Sequence, residues 1–285
     1  MNVLVTYRQN QGPGKGWETG AALIRALRRL GHRAHPYGTT YQTGQQIAPG
    51  PPWTPDLIVF MECGDGDPQY LDLRQKWPGV PLFMWLFDTA INLEQHRHLV
   101  HELHPDHLFL ANPDMLHHFA GSKYLPYAAD ETRFRPTTGP KRGAAIIGTP
   151  FPERVEFARR VGVDVIQTQT GQEYADAVAR LRVHVHHTNS GGDGLLVMRY
   201  WETLACGTVL FAPKSTEFDR LGFESPTHYV SYDEHFTAPG HTAKDRLDSV
   251  MANAEHLRII AANGRAHVLA HHTYRHRAQE ILEAM

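Results

Sequence analysis

Residues 190–213 read SGGDGLLVMRYWETLACGTVLFAP, a glycine-rich loop followed by an apolar segment, a glycine and a second apolar run. The first apolar segment predicts a helix that ends at Gly207, and the second predicts a strand. On this helix Arg199, Glu202 and Thr203 lie at i, i+3 and i+4, so they form one narrow polar stripe. Burying a charge without a partner is costly, so we expect the stripe to line a cleft that binds a polar ligand. An internal ion pair between Arg199 and Glu202 is the alternative explanation.

Composition predicts a folded protein of two domains. The chain has 285 residues, more than one hydrophobic core usually serves. Its formal net charge of -2 gives no overall basic field, so DNA is a possible partner that the net charge does not favour. Cys63 and Cys206 are too few for a disulfide framework or a cysteine zinc site. With no signal peptide or membrane span in the sequence, these features predict a cytoplasmic location.

Histidine is abundant, with 20 residues, which raises the question of a metal site. His98, His101, His104 and His107 recur at every third position, a spacing that can bind a metal on a helix. However, Pro105 interrupts the run, and no HExxH pattern accompanies it. The sequence therefore predicts no metal and no bound cofactor.

Strand and helix patterns alternate through both halves of the chain, which predicts an α/β protein with two doubly wound, Rossmann-like domains. Residues 136–142 are rich in proline and small polar residues, so we place the domain boundary there and assign domains to 1–138 and 139–285. Ligands of such domains bind at the carboxyl ends of the strands, in a central cleft that the two domains face. Breaks near 263–264 and 272–273 divide the carboxyl-terminal region into consecutive helices.

The first turn of the second domain is a candidate phosphate site. A strand is followed by Gly148 and Thr149 and then by a helix that carries Arg154 in its first turn. A cation is unfavourable at a helix amino terminus, unless an anion docks there and uses both the backbone amides and the guanidinium. An ion pair with Glu153 or Glu156 is the alternative.

The glycine-rich loop before the helix that carries Arg199 is a second candidate phosphate site. It contains Gly191, Gly192 and Asp193, and its small side chains let backbone amides approach a diphosphate closely. A simple tight turn explains the glycines equally well. A carboxylate at Glu202 could accept two hydrogen bonds from a ribose diol.

Residues of the first half are candidates for acceptor binding and catalysis. The loop after the first strand is neither a P-loop nor a dinucleotide fingerprint, so we interpret it as an acceptor loop. It consists of Gly14, Lys15, Gly16 and Trp17. Glu62 and Asp88 follow buried strands, where either could position an acceptor hydroxyl or remove its proton. For each, a helix cap or a turn is the alternative role.

Four segments in sequence order carry a family resemblance. They are KYLPYAADETRFRP (123–136), IIGTPFPERVEFARRVG (146–162), MRYWETLACGTVLFAP (198–213) and IAANGRAHVLAHHTYRHRAQEIL (260–282). Together they resemble the CgeB-type glycosyltransferases, which are related to the large retaining group with the two-domain GT-B fold. The first half of the chain is similar to that family only in its rhythm of strands and helices.

This resemblance implies transfer of a sugar from a nucleotide-diphosphate sugar, held by the second domain, to a hydroxyl acceptor. The acceptor could be a small molecule, a polysaccharide, a protein or a hydroxylated DNA base. Glu202 matches the glutamate that holds the donor ribose in related enzymes. Arg154 and Arg199 are suited to bind the diphosphate of the donor. No metal is needed, since amides and arginines can stabilise the departing diphosphate.

The resemblance also implies that the terminal helices pack back on the first domain. One difference from the family concerns the sugar contact. Related retaining enzymes often carry another glutamate eight positions before the ribose glutamate, but Gly194 occupies that position and Asp193 lies one residue away. Retention follows from the kinship, whereas inversion would need a base, for which Asp88 is the first candidate. The missing glutamate also leaves open a non-catalytic protein that binds a nucleotide or a sugar phosphate.

Overall fold

The computed structural model describes residues 1–8, 17–39, 50–61, 72–167, 171–187, 196–233 and 242–285. The chain forms two compact units. The first contains Met1–Pro126 and Tyr274–Met285, and the second contains Tyr127–Thr273. Each unit has a parallel sheet with helices, which confirms the predicted α/β class.

A six-stranded parallel sheet, in the order β2-β1-β3-β4-β5-β6, forms the centre of the first unit. Its strands are β1 Asn2–Thr6, β2 Arg33–Tyr37, β3 Leu57–Met61, β4 Leu82–Leu86, β5 His107–Leu110 and β6 Lys123–Tyr124. Its helices are α1 Thr19–Arg29, α2 Leu73–Lys76, α3 Leu93–Leu103, a 3-10 helix Pro113–His118 and, from the end of the chain, α10 Tyr274–Glu283. Every residue of β3 and β4 is buried, as continuous apolar runs in a covered parallel sheet require.

A five-stranded parallel sheet, in the order β11-β10-β9-β7-β8, forms the centre of the second unit. Its strands are β7 Arg142–Ile147, β8 Asp164–Ile166, β9 Leu181–Val185, β10 Val209–Pro213 and β11 Val230–Tyr232. Its helices are α4 Pro152–Val161, α5 Gln172–Arg180, α6 Arg199–Ala205, α7 Thr216–Arg220, α8 Ala243–Ala252 and α9 Ala254–His271. Residues of β7, β9, β10, β11 and of α4, α8 and α9 build its hydrophobic core.

The two sheets share one topology. Counted within each unit, their first five strands follow the order 2-1-3-4-5. In this arrangement the chain crosses to opposite sides of the sheet after the first and the third strand, which opens a crevice at their carboxyl ends. In the second unit this switch point lies between β7 and β9, which are hydrogen-bonded neighbours. A ligand of the second unit is therefore expected just after Ile147 and Val185.

The division between the units falls after Pro126, before the predicted boundary at 138/139. Residues 127–138 belong to the second unit because their aromatic side chains pack there. The ring of Tyr127 lies 5.8 Å from Trp201, and that of Phe134 lies 6.0 Å from Tyr174. Among the terminal helices, α10 is grouped with the first unit, whereas α8 and α9 are grouped with the second.

The predicted helix break near Asn263 and Gly264 is wrong, because α9 continues through both residues. Gly264 is instead a packing position. A Cβ there would lie 2.3 Å from the carbonyl oxygen of His228 and 2.8 Å from Leu204 Cδ2. The predicted break near 272–273 is confirmed, since α9 ends at His271 and α10 begins two residues after His272.

The four evenly spaced histidines do not share one helical face. His98 and His101 lie on α3, His104 follows its end in a left-handed conformation with φ 44°, and His107 begins β5. Among the described residues, no three His, Cys, Asp or Glu side chains are grouped as metal ligands. The described helices include none that is long and apolar enough to cross a membrane.

Candidate functional site

Two arginines converge on the glycine that follows β7. A Cβ on Gly148 would lie 3.0 Å from Arg154 Nη1 and 3.2 Å from Arg199 Nη1. Arg154 is on the first turn of α4, and Arg199 is the first residue of α6. A side chain at this position would push both guanidinium groups away by a few tenths of an ångström. The absence of a Cβ therefore lets two cations from different helices meet at the switch point of the second sheet.

Neither arginine of this pair forms a salt bridge within the described part of the chain, and Arg199 interacts with the carboxylate of Glu202 only at longer range. Arg154 is 7% exposed, and its Nη1 donates a hydrogen bond to the carbonyl oxygen of Thr149 at 2.5 Å. Its Nε is buried without a hydrogen-bond partner. Burial lowers the pKa of Arg154, and the charge of Arg199 lowers it further. Two like charges this close to each other, neither in a salt bridge, favour an anionic ligand between them.

The alternative ion pairs do not form. Arg154 makes no salt bridge with Glu153 or Glu156, since Glu156 is instead paired with Arg159 at 2.7 Å. Arg199 and Glu202 do not pair within 4.0 Å either, although their charges influence one another. The polar stripe of α6 is thus not an internal salt bridge.

Glu202 is the carboxylate of this site, one helical turn after Arg199. It is 9% exposed, and burial raises its pKa to about 7, with a smaller contribution in the same direction from Asp130. Arg199 and the hydroxyl of Tyr174 oppose this shift. The Tyr174 hydroxyl is itself buried and makes no hydrogen bond of good geometry, so it influences Glu202 through proximity. Near neutral pH the carboxyl can therefore exist in either protonation state.

Thr203 does not face the ligand side of the helix. It is completely buried, and its hydroxyl lies 2.6 Å from Nδ1 of His184. Nε2 of His184 accepts a hydrogen bond from the backbone N–H of Ile147. Nδ1 therefore carries the proton and donates a hydrogen bond to the hydroxyl oxygen of Thr203. Thr203 is predicted to contact the nucleotide-sugar donor, but its buried position does not fit that contact. The residue instead links α6 to β9 through His184.

Two buried histidines near the arginines were not predicted as site residues: His184 in β9 and His186 just after it. Burial lowers the pKa of His184 to about 3 and that of His186 well below its usual value, and the two arginines add to both shifts. Both imidazoles are therefore neutral. Nε2 of His186 is buried without a hydrogen-bond partner at the carboxyl end of β9. The alternation in LRVHVHH was visible in the sequence, but it could not show which histidines lie beneath the arginine pair.

In the first unit, Asp88 lies two residues after the carboxyl end of β4. It is half-buried and adopts a left-handed conformation with φ 50°, which is uncommon outside glycine and is found at constrained sites. Its carbonyl oxygen accepts backbone hydrogen bonds from Ile91 and Asn92, so it also begins a turn. Trp17, from the predicted acceptor loop, is half-buried just before α1.

Several predicted site residues lie outside the described residues. They are Gly14, Lys15, Gly16, Glu62, Gly191, Gly192 and Asp193. The described site of the second unit therefore consists of Gly148, Thr149, Arg154, Arg199 and Glu202.

The family model described as glycosyl transferase-like matches residues 132–283, which is more than half of the chain. The chain belongs to this family. The matched region of this glycosyltransferase contains Gly148, both arginines and Glu202. No curated protein matches the chain significantly.

Solved structures confirm the GT-B fold of the glycosyltransferase. Sucrose-phosphate synthase from Thermosynechococcus elongatus has a TM-score of 0.65 and 12% identity over 100% of this chain and 98% of its own. HepE from Anabaena, in complex with UDP and glucose, has a TM-score of 0.63 and 12% identity over 99% and 98%. An α-glucosyltransferase, in complex with UDP-glucose and DNA containing an abasic site, has a TM-score of 0.66 and 9% identity over 99% and 98%.

Proposed function

We propose that this glycosyltransferase transfers a sugar from a nucleoside diphosphate sugar, held by its second unit, to a hydroxyl acceptor. The convergence of Arg154 and Arg199 on Gly148 carries the proposal. A diphosphate there would supply the direct ion pair that neither guanidinium makes within the described part of the chain. The HepE and α-glucosyltransferase structures contain UDP or UDP-glucose, which supports a uridine nucleotide as the first donor to test.

Glu202 is suited to hold the ribose of the donor. A carboxylate can accept hydrogen bonds from both hydroxyls of a vicinal diol, and it lies one turn from the arginine that would hold the diphosphate. Ribose binding would favour the ionised form and so lower the pKa of Glu202 from about 7. The neutral His184 and His186 below it leave the positive charge of the site to the arginines.

The chemical step breaks the bond between the anomeric carbon and the diphosphate oxygen and forms a bond from the anomeric carbon to the acceptor oxygen. Negative charge develops on the departing diphosphate, and Arg154 and Arg199 would stabilise it without a metal. The acceptor hydroxyl loses its proton in the same step. Asp88 or Glu62 is proposed to position that hydroxyl or take the proton, and the loop 14–17 to bind the acceptor.

The four sequence segments support a finer assignment to the CgeB-like subfamily and to a retaining outcome. Three of them lie largely within the region that the family model matches. The shortage of cysteine supports action in the cytoplasm.

Donor binding is tested with a panel of UDP-, GDP- and TDP-sugars, by thermal stabilisation and by release of the nucleoside diphosphate. We expect one nucleotide to stabilise the protein and its sugar to be hydrolysed slowly or transferred. Arg154→Gln should weaken this response by roughly tenfold or more, as expected for a charge-assisted contact. Arg160→Gln, an exposed arginine on the same helix, serves as the matched control.

Two results would contradict the proposal. One is the absence of any response across the panel. The other is an equal response in Arg154→Gln, Arg160→Gln and the unmodified protein. Tight binding with no turnover on any acceptor would favour a non-catalytic nucleotide-binding protein instead.

A further inference from the structure

A cavity in the second unit lies at the amino ends of its strands, whereas the arginine pair lies at their carboxyl ends. Its volume is about 550 Å³. Lys141 precedes β7, Arg182 is the second residue of β9 and Gly207 precedes β10, so the cavity opens at the amino ends of three parallel strands. The six residues of β7 separate it from Gly148 by about 20 Å at roughly 3.3 Å per residue. It is therefore not part of the proposed donor site.

The charged residues that line this cavity are all cations: Lys141, Arg182, Arg258 and Arg265. Arg258 is paired with Glu255 at 2.6 Å, and this pair is exposed. The other three have no salt bridge within the described residues. Burial lowers the pKa of Lys141 to about 8.

Part of this charge has a structural role. Nζ of Lys141 donates to the carbonyl oxygens of Cys206 and Gly207 and to the hydroxyl of Thr208, at the end of α6. Cations at a helix carboxyl terminus are favourable. This role engages all three ammonium hydrogens of Lys141, so it contributes positive charge to the cavity but no further donor.

The two half-buried arginines, Arg182 and Arg265, keep N–H groups that make no hydrogen bond within the described residues. Arg265 donates to the carbonyl oxygen of Ala205 through Nε, at 3.2 Å. Arg182 donates to the carbonyl oxygen of Met251 through Nη2, also at 3.2 Å. Each guanidinium carries five N–H groups, and these are their hydrogen bonds within the described residues. The hydrogen bond of each guanidinium fixes its orientation, and its other N–H groups stay available to a ligand.

The rest of the lining is apolar and small. It consists of Pro136, Ala254, Leu257, Ala261, Ala262 and Ala266. The alanines leave space along α9 that larger side chains would fill. The cavity thus combines a cationic rim with an apolar wall, which suits a ligand with both characters.

We propose that this cavity, formed by the amino ends of β7, β9 and β10 and by α9, binds a small organic anion. The ligand carries a phosphate or a carboxylate, which Arg182 and Arg265 bind, on an apolar body of about the size of one or two rings, which the alanine wall of α9 contacts. This binding is separate from the transfer reaction, because the cavity contains none of the residues of the proposed nucleotide-sugar site.

The probe is 2-naphthyl phosphate, with 2-naphthoate, uncharged 2-naphthol and inorganic phosphate as comparison ligands, measured by calorimetric titration with saturating UDP present. We expect the two aromatic anions to bind at least about tenfold more tightly than 2-naphthol or inorganic phosphate, because only they use both halves of the cavity. The relative affinity of the phosphate and the carboxylate then identifies the preferred anion. Binding must persist with UDP present, since UDP is expected at the carboxyl ends of the strands.

Ala262→Glu is the variant that tests the location. Ala262 is exposed and lies between Arg258 and Arg265 at helical spacings of four and three residues, so a carboxylate there would neutralise the rim. We expect at least about tenfold weaker binding of 2-naphthyl phosphate and unchanged binding of UDP. Ala270→Glu, on an exposed position of α9 outside the cavity, should leave both unchanged.

Arg182→Gln gives an independent test from a different element, and it too should weaken the anion by about tenfold. The proposal is overturned if 2-naphthol binds as well as the anions, if UDP displaces the probe, or if the two glutamate variants behave alike. If UDP itself fails to bind, the proposed function is in error but the anion titration still decides this cavity.

Discussion

At the scale of single residues, Glu202 shows how a binding role conflicts with stability. Burial raises its pKa to about 7, above its ordinary value of 4.5. The stability that goes with the neutral acid is complete below about pH 4.5 and is lost as the pH rises through 7. Above pH 7 the fold therefore carries a buried carboxylate whose charge Arg199 and Tyr174 compensate only in part.

Glu202→Gln removes this cost, because the amide stays neutral. At about pH 8 we expect the variant to have a larger free energy of unfolding than the unmodified protein, on the order of 3 kcal/mol, since the pKa rises from 4.5 to about 7 and each pKa unit corresponds to about 1.4 kcal/mol. At roughly pH 4 the two should be alike. Thermal unfolding at the two pH values measures the difference. Glu156→Gln, on the exposed face of α4, is the control and should show no such pH-dependent gain. Equal unfolding temperatures of Glu202→Gln and the unmodified protein at pH 8 would show that burial of Glu202 carries no cost.

Gly148 is the second residue whose role follows from contacts rather than from sequence. In Gly148→Ala the new Cβ would meet Arg154 Nη1 at 3.0 Å and Arg199 Nη1 at 3.2 Å, so both guanidinium groups must move. We expect UDP to bind on the order of tenfold more weakly, as for the loss of a charge-assisted hydrogen bond. Gly143→Ala is the comparison variant, because Gly143 also has a positive φ, of 55°, while nothing lies within 4 Å of its Cβ. Equal affinities in the two alanine variants would remove Gly148 from the site.

At the scale of elements, the sequence was informative wherever a strand and a helix follow each other with clear periodicity. The apolar runs predicted β3, β4, β7, β9 and β10 and the helices α1, α4 and α5 between them. It was less informative for α6, whose described helix begins at Arg199. The stripe of three polar residues predicts a cleft for a polar ligand, and for Arg199 and Glu202 this stays a prediction. It could not show that Thr203 bonds to His184, because that contact depends on the neighbouring strand β9.

Gly264 shows why a glycine within a helical pattern was misinterpreted. A glycine often marks the end of a helix, but here it allows α9 to approach α6 and the chain before β11. Nothing local in the sequence distinguishes these two roles. The distinction appears only when His228 and Leu204 are placed beside it.

Gly264→Ala tests that interpretation. Alanine is favoured over glycine within a helix by about 1 kcal/mol, but its Cβ would lie 2.3 Å from the carbonyl oxygen of His228, which is backbone and cannot turn away. We expect the steric cost to exceed the gain, so that the free energy of unfolding falls by roughly 1 to 3 kcal/mol. Chemical denaturation measures it. Gly139→Ala, where the nearest atom is Thr137 Oγ1 at 3.6 Å, should be nearly neutral; a stabilised Gly264→Ala would show that α9 has room to shift.

At the scale of the whole molecule, two sheets with the same strand order and separate cores form the chain. The sequence predicted two such units, but the linker composition placed their division too late. Proline and polar residues suggested an extended segment up to residue 138, whereas Tyr127 and Phe134 bind that segment to the second unit through their rings. Aromatic side chains in a loop thus defined the unit better than the loop's flexible composition did.

The return of the last helix makes the first unit dependent on the end of the chain. In α10, Tyr274, Ala278 and Ile281 are buried, and Arg277 donates to the carbonyl oxygen of Pro126 at 2.9 Å. Ile281→Ala should destabilise the first unit by roughly 2 to 5 kcal/mol, as for other fully buried residues truncated to alanine. In a calorimetric scan we expect it to lower the unfolding transition of that unit. UDP, bound by the second unit, should raise the other transition.

Glu283→Ala, at an exposed position on the same helix, controls for the change of helix sequence and should shift neither transition. If Ile281→Ala and UDP acted on one common transition, the two units would unfold as a single cooperative body. The expected separation follows from the distribution of buried side chains. Ile281 is grouped with the sheet of the first unit, while the arginines and Glu202 that would bind the nucleotide belong to the second.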